Sequence, residues 1–365
     1  MLAFLQAAHS VLHYSSQKHI HSTFPLYRLP LLPILNVFSS LNTVELFNLS
    51  RTSSKLRAFI KTSTLWKRLE IRLLFRPDFF SFRVSTGFTG CHIFLFPRKY
   101  EHFFYNDFSN EGAGKEAKVW YKESSTHTYW NNRVLGIETI GNYLLEMFDE
   151  PKITITVAGN AVPLIEPVVH WIKKRNIREL SHLSVNGSSK NERDINCILE
   201  HFTIRRGLFT NVKLDYSGIC GHLRNLDKVT IEKSELLKIN DISIINPILL
   251  WLSEASLTSQ DLNRFLKDWK NGIANSRLKY FRLFSKTRLN KEQVLMDIEG
   301  LERSPNEKSF YFISYLMPER IDFNTGGFDI ERNDGIKATI HVYSDCFRIV
   351  VWPDFRRNMA WLKNR

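Results

Sequence analysis

The sequence is poor in cysteine. Its 365 residues include only four cysteines, and they lie far apart in the chain: Cys91, Cys197, Cys220 and Cys346. No two of them form a CxxC pair, so the spacing excludes both a disulfide framework and a zinc ribbon. Because free cysteines are typical of a reducing compartment, we expect an intracellular protein of the cytoplasm or the nucleus.

The sequence also lacks the short motifs of the common catalytic sites. It has no GxxxxGK[S/T] phosphate loop, no HExxH metalloprotease motif and no GxSxG nucleophile elbow. Cys197 and His201 are four residues apart on a predicted helix and have the spacing of half a metal site. Cys220 and His222 would complete it only by chance. We therefore expect no catalytic residue, no cofactor and no metal ion.

The beginning of the chain has no features of a signal peptide. Residues 1–14 are mildly apolar but carry no charged n-region, and Gln6 and His9 interrupt the apolar run. A membrane-spanning helix needs about 20 mostly apolar residues, which this stretch does not supply. We interpret residues 1–23 as a weakly ordered extension and expect no membrane partner.

What the chain does have is positive charge. Its 50 lysines and arginines outnumber its 37 aspartates and glutamates, for a net charge of +13. Such an excess favours nucleic acid, an anionic membrane surface or an acidic protein as a partner. The densest basic clusters, at residues 173–175, 205–206 and 356–357, are two or three residues long and form no continuous stripe. Nucleic-acid binding is therefore the alternative hypothesis.

Residues 24–63 form an apolar helical pattern. Pro30 lacks a backbone N–H and suits the first turn of a helix, and Asn42 with Glu45 has the pattern of a capping box for a second helix. Apolar residues recur at helical spacing in three predicted helices, at Ile34, Leu35, Phe38 and Leu41, at Val44, Leu46, Phe47 and Leu49, and at Leu56, Phe59 and Ile60. About forty residues cannot bury so many apolar side chains alone. The segment either is the first layer of a larger fold or presents apolar surface to a partner.

This segment resembles the F-box, a three-helix module that binds a Skp-type adaptor within cullin-based ubiquitin ligases. The resemblance rests on the Leu29-Pro30 pair, the spaced Leu, Ile and Phe positions, and the closing Leu49-Ser50-x-Thr52-Ser53. In this family the Leu-Pro pair and the apolar residues of the first two helices contact the adaptor. The resemblance therefore implies seven adaptor-binding residues: Leu29, Pro30, Ile34, Phe38, Leu41, Leu46 and Leu49.

Residues 64–134 are rich in aromatic side chains. They alternate with polar residues in short runs, at 79–82, 93–96, 103–105 and 119–121, and Gly, Asn and Ser separate the runs. This pattern is typical of short antiparallel strands. An aromatic surface can stack on nucleic-acid bases, but we interpret it as the packed face of a sheet in a β-rich linking segment.

Residues 135–365 alternate predicted strands and helices. Strands are expected near Ile153, His182 and Val212, with helices over 162–174 and 193–202 between them, and further strands at 229–231, 248–252 and 278–283. Units of about thirty residues are typical of a leucine-rich-repeat-like solenoid, and an ordinary α/β sheet is the alternative. The predicted fold class is mixed α/β.

The most specific pattern of this half is LTSQDLNRFLKDWK, residues 257–270. Thr258 or Ser259 can cap a helix there, and its apolar residues share one face: Leu262, Phe265, Leu266 and Trp269. The pattern resembles the type 2 F-box-associated domain of nematode F-box proteins, in which such a helix precedes a Leu-x-Tyr-Leu strand. Residues 278–281 match that strand, with Phe281 where the family often has Leu. A β-hairpin is expected around Asn333-Asp334-Gly335.

Together the two resemblances imply a non-enzymatic substrate-recognition subunit of an SCF ubiquitin ligase. Residues 24–63 would dock the Skp-type adaptor and, through it, the cullin, while the F-box-associated domain at 135–365 would hold a target protein. No substrate-binding residue follows from the resemblance. The alternatives are a basic nucleic-acid-binding protein without a ligase role and a structural protein whose F-box has decayed.

Overall fold

The computed structural model describes residues 30–41, 43–62, 69–85, 90–97, 117–122, 125–148, 151–159, 164–187, 192–304, 311–314, 317–322 and 326–352. It divides into two compact units, Met1–Ile155 and Thr156–Arg365. Each unit contains helices and a β-sheet, so the predicted mixed α/β class is confirmed. The extension 1–23, the aromatic run 103–105 and the Asn42 cap lie outside the described residues. The predicted domain boundaries stay predictions.

The first unit opens with three helices. They are α1 (Leu31–Ser40), α2 (Thr43–Thr52) and α3 (Ser54–Thr62). Pro30 is the N-cap residue of α1, as expected for a residue with no N–H to donate into the helix. α1 ends where Leu41 adopts an extended backbone, with φ −84° and ψ 143°.

Strands and one further helix complete the first unit. They are β1 (Glu70–Phe75), β2 (Phe80–Ser85), β3 (Gly90–Pro97), β4 (Ala117–Lys122), β5 (Ser125–Trp130), α4 (Arg133–Met147) and β6 (Lys152–Ala158), whose last residues belong to the second unit. The strand order is β6-β1-β2-β3-β5-β4. β1, β2 and β3 pair antiparallel, as do β4 and β5, and β3 pairs parallel with β5. Phe80 and Phe82 are 0% and 1% exposed, which confirms that they pack into a sheet face.

The second unit alternates strands and helices. The helices are α5 (Ile165–Lys174), α6 (Glu192–His201), α7 (Ile239–Ile245), α8 (Ser259–Lys270) and α9 (Lys291–Val294), with a 3-10 turn at Cys220–Leu223. The strands are β7 (Glu179–Asn186), β8 (Thr203–Thr210), β9 (Lys228–Ile231), β10 (Leu249–Ala255), β11 (Tyr280–Ser285), β12 (Leu301–Arg303), β13 (Tyr311–Ser314), β14 (Met317–Asp322), β15 (Gly327–Glu331), β16 (Lys337–Val342) and β17 (Cys346–Val351).

The sheet of the second unit has a parallel and an antiparallel part. Its strand order is β12-β15-β16-β17-β11-β10-β9-β8-β7, and β13 pairs with β14 separately. β7 to β11 are parallel neighbours in chain order, because each pair is joined by a crossover that contains a helix or a 3-10 turn. β17, β16, β15 and β12 extend the sheet antiparallel. The finer description as a leucine-rich-repeat-like solenoid stays a prediction.

One face of this sheet packs against helices. A row of apolar residues crosses six strands in register, and each is at most 4% exposed: Leu183, Leu208, Val229, Leu250, Phe281 and Ile349. Phe265 of α8 contacts this side, with its ring centroid 5.2 Å from that of Phe281. Side chains alternate along a strand, so the intervening residues point to the opposite face.

Two local predictions have clear outcomes. The strand expected near Val212 is wrong: β8 is Thr203–Thr210, and the exposed pair Arg205 and Arg206 within it concealed the strand pattern. The hairpin around residues 333–335 is confirmed, because β15 and β16 pair antiparallel across it and Gly335 has a φ of +84°.

The hydrogen bonds of α8 explain its sequence. Of the two predicted caps, Thr258 is the one observed. Its Oγ1 accepts a hydrogen bond from Asp261 N at 3.2 Å, and Asp261 Oδ2 accepts one from Thr258 N at 2.9 Å. The buried Asn263 Nδ2 donates to the carbonyl oxygens of Val294 and Met296, at 2.9 and 2.7 Å. The polar residues of this helix therefore fix its start and anchor the segment that follows α9.

Replacing Thr258 by Ala should loosen the first turn of α8. The substitution removes one half of the capping box, which typically costs about 1 kcal/mol of helix stability. Amide hydrogen exchange over residues 259–270, read by mass spectrometry, should become faster. Gln260→Ala, an exposed change on the same turn, is the control and should leave exchange unchanged. Equal exchange in both variants would contradict the cap.

Candidate docking surfaces

The seven predicted adaptor-binding residues differ in accessibility. Ile34, Phe38 and Leu46 are 3%, 0% and 4% exposed. Leu41 and Leu49 are half-buried and Pro30 is exposed, while Leu29 lies outside the described residues. The first three residues therefore face the interior of the first unit, and the structure does not bring all seven to one surface.

Among the described side chains of the helical module, the large apolar one that is exposed lies at the start of α1. Leu32 is 72% exposed, and Pro30 and Pro33 beside it are also exposed. The sequence pattern did not select Leu32 or Pro33, because their spacing puts them off the apolar stripe formed by Ile34 and Phe38. We call the three exposed residues Pro30, Leu32 and Pro33 the α1 tip.

The inner side of the helical module is held by Tyr143 of α4. Its hydroxyl lies 2.5 Å from Ser50 Oγ, and Ser50 is fully buried. Its ring makes an edge contact with Phe47 at 5.6 Å between centroids, and the guanidinium of Arg57 lies 4.6 Å from the ring centroid. One side chain thus joins α2 and α3 to α4, which explains how so short a module buries its apolar face.

Tyr143→Phe should weaken the packing of α2 and α3 against α4 by removing the hydroxyl contact with Ser50, while the ring contacts remain. In a double-mutant cycle with Ser50→Ala, we expect a coupling energy of about 1 kcal/mol, typical of a neutral hydrogen bond. Free energies of local opening of α2 and α3 from hydrogen exchange supply the four corners of the cycle. If the free-energy changes of the two single variants add up to that of the double variant, the contact between the two hydroxyl groups contributes nothing to stability.

The face of the second unit's sheet that points away from α8 carries a different row. Its members are register partners on the neighbouring strands β8, β9, β10, β11 and β17, and all are half-buried: Phe209, Thr230, Trp251, Arg282 and Arg348. With Phe284, two residues after Arg282, they form what we call the arginine-aromatic face. None of these residues was singled out from the sequence, because their proximity depends on strand pairing.

The guanidinium of Arg282 lies against two neighbouring aromatic rings. Its central carbon lies 4.9 Å from the ring centroid of Trp251 and 4.4 Å from that of Phe284. Both contacts have the geometry of cation–π interactions. Burial raises the pKa of the neighbouring Cys346 thiol, although Arg282 acts in the opposite direction. Arg282 is thus fixed in position.

His341 supports Arg348 from the next strand. The Arg348 guanidinium donates to His341 Nδ1, and His341 Nε2 donates to the carbonyl oxygen of Gly326. Burial and the charge of Arg348 lower the pKa of His341 to about 4. His341 is therefore neutral near pH 7 and serves as an acceptor for the arginine.

The stability of the second unit should fall as the pH is lowered from 6.5 towards 4. The pKa of His341 is below its ordinary value of 6.5 in the folded chain, so the unfolded chain binds a proton there that the folded chain does not. Urea unfolding across this pH range, followed in the second unit, should show a shallower dependence in His341→Gln. His222→Gln, a change at an exposed histidine, should keep the wild-type dependence. Equal slopes in all three proteins would contradict the assignment.

The cysteine and histidine pairs considered from the sequence form no metal centre in the part of the chain described. His201 Nδ1 hydrogen-bonds with the carbonyl oxygen of Cys197 at 2.9 Å, and its ring lies 5.8 Å from that of His170. Cys220 is buried and His222 is exposed. Among the described residues, no three His, Cys, Asp or Glu side chains are grouped to hold a metal ion.

Two family models match the chain. A model described as an F-box domain matches residues 26–68, and a model described as F-box associated matches residues 222–283. The chain contains an F-box domain and an F-box-associated domain. The F-box match covers α1, α2 and α3, and the second match runs from the 3-10 turn through α8 to β11. No curated protein and no solved structure matches the chain.

The F-box-associated match includes part of the arginine-aromatic face. Thr230, Trp251 and Arg282 lie within residues 222–283, and Phe284 follows directly. The α1 tip lies within the F-box match. Neither match names an organism, so the nematode origin stays a prediction. Within the described residues, no helix has the length and apolar character to cross a membrane.

Proposed function

We propose that this F-box protein is the substrate-recognition subunit of a cullin-based SCF ubiquitin ligase. Its F-box docks a Skp-type adaptor, and its C-terminal domain holds a target protein. The observation that supports this most is the presence in one chain of the F-box match at 26–68 and the F-box-associated match at 222–283. The protein itself is not an enzyme and needs no cofactor. It raises the effective concentration of the target near the catalytic subunits.

The seven residues implied by the resemblance act in two ways in this proposal. Leu29, Pro30, Leu41 and Leu49 contact the adaptor together with Leu32 of the α1 tip. The buried residues Ile34, Phe38 and Leu46 act indirectly, because they hold α1 and α2 in position from inside the unit. This division follows from side-chain exposure, since a residue that is almost fully buried has no surface to offer a partner.

The wider assignments belong to the same proposal. The parallel order of β7 to β11, with intervening helices, supports a leucine-rich-repeat-like scaffold for target binding. An adaptor and cullin partnership places the protein inside the cell, in the cytoplasm or the nucleus. The four cysteines, all free thiols, fit a reducing compartment.

The nucleic-acid alternative has the net charge of +13 in its favour. Part of the basic charge in the described second unit is matched locally by carboxylates, which reduces the positive charge available to a phosphate backbone. The pairs include Lys213–Glu235, Lys267–Asp297, Lys270–Glu299, Arg277–Asp227, Lys291–Glu302 and Arg332–Asp334. We therefore favour a protein target.

A pull-down with purified Skp-type adaptor tests the docking assignment. The variant Leu29→Ala, Pro30→Ala and Leu32→Asp alters the start of the F-box without touching the buried residues. It should recover less than about a tenth of the adaptor, because a charge in an apolar interface is costly to desolvate. Leu301→Asp is the matched control, since Leu301 is also 72% exposed but lies in the second unit.

The control should recover the adaptor as well as the wild type does. Equal recovery by the triple variant would reject the assigned surface. No recovery by the wild type would reject adaptor docking altogether and would favour the decayed F-box.

A further inference from the structure

The arginine-aromatic face has the composition of a binding surface for a negatively charged ligand. Arg282 and Arg348 are directly opposed register partners on the antiparallel strands β11 and β17. Like charges placed opposite each other on a sheet are destabilising. The two positive charges therefore repel each other at this position, and a bound anion would reduce that repulsion.

The charge of Arg282 is not neutralised within the described part of the chain. No carboxylate there forms an ion pair with Arg282, in contrast to the lysines and arginines of α8 and the loops around it. Glu254 pairs with Lys286 at 3.2 Å, and Asp345 is exposed. The contacts of Arg282 with Trp251 and Phe284 fix its position, and its side chain also hydrogen-bonds with Tyr280 and Cys346. A guanidinium carries five N–H donors in a planar fork, and those that remain suit a planar anion.

The same face becomes apolar towards β8. Trp251, Thr230 and Phe209 continue the row away from the arginines, so one end is cationic and the other end is aromatic. Neighbouring strands are about 4.8 Å apart, so the row from Phe209 to Arg348 spans about 19 Å. That length matches an extended peptide of about six residues, at roughly 3.3 Å for each residue.

We propose that the arginine-aromatic face binds an acidic segment of the target protein, with carboxylates on Arg282 and Arg348 and an apolar side chain against Phe209 and Trp251. This inference rests on the proposed function and specifies its target-binding surface. Carboxylates suit the site because a guanidinium offers them paired N–H donors. Nucleic acid suits it less, because a phosphate backbone needs a longer succession of cationic contacts than two arginines provide.

A defined peptide tests the cationic end. The probe is a fluorescein-labelled hexaglutamate peptide with a Trp-Phe extension, and its affinity for the full chain is read by fluorescence anisotropy at low salt. Arg282→Gln with Arg348→Gln should weaken binding at least about tenfold, because both charge-assisted contacts are lost. The control Lys267→Gln with Lys270→Gln removes the same charge from α8 and should change affinity less than about twofold.

A second variant tests the aromatic end and guards against misfolding. Phe209→Ala should weaken the extended peptide but leave hexaglutamate without the extension unaffected. Arg282→Lys with Arg348→Lys keeps both charges and should retain more binding than the glutamine pair, even if the glutamine pair proves less stable. Thermal unfolding of each variant shows whether it is folded under the assay conditions.

Three results would overturn the inference: no binding of the acidic peptide by the wild type, equal loss in the lysine control, or tighter binding of a single-stranded oligonucleotide that the arginine variant abolishes. The last result would assign the face to nucleic acid. Adaptor recovery by the arginine variant separates the two proposals, because it should stay at the wild-type level whether or not the peptide binds. Loss of adaptor docking in the wild type would instead reject the proposed function and leave the peptide result standing.

Discussion

The alternation of side chains along the strands is the constraint on which this structure most depends. In the second unit, Leu250, Phe281 and Ile349 point to the helices and are almost completely buried. Their neighbours Trp251, Arg282 and Arg348 must then point the other way. A single register therefore determines both the hydrophobic core and the composition of the opposite face. The register that buries Leu250, Phe281 and Ile349 also places Arg282 opposite Arg348 on the other face, although their positive charges repel.

In the F-box, too, distant parts of the chain determine which apolar residues are buried. Three short helices do not bury their own apolar residues, and the first unit supplies the missing cover through α4, with Tyr143 contacting Phe47, Ser50 and Arg57. Much of the apolar pattern that identifies an F-box is consequently structural in this chain. Among the described side chains, Pro30 and Leu32 at the beginning of α1 are exposed. In the proposed function, the residues of the motif are divided between those that stabilise the fold and those that contact the adaptor.

Features encoded within a few residues were predictable from the sequence. The Thr258 cap, the apolar face of α8 and the hairpin at residues 333–335 depend on local spacing, and the structure has all three. Features that depend on distant pairing were not predictable. Ser50 and Tyr143 are 93 residues apart, Asn263 bonds to carbonyls more than thirty residues away, and the Arg282–Arg348 pair exists only because β17 joins β11. β8 was misplaced because Arg205 and Arg206 obscured its pattern, although tertiary pairing tolerates them at exposed positions.

In the proposed function one chain joins a ligase adaptor to a target through separate surfaces. The decisive experiment is affinity purification of the tagged full chain from cells, with quantitative mass spectrometry. It compares the wild type with the triple variant Leu29→Ala, Pro30→Ala, Leu32→Asp and with the double variant Arg282→Gln, Arg348→Gln. The triple variant should lose the Skp-type adaptor and the cullin while keeping other bound proteins, and the double variant should do the reverse. Loss of the same proteins from both variants, or a wild-type chain that recovers no adaptor, would contradict this proposal.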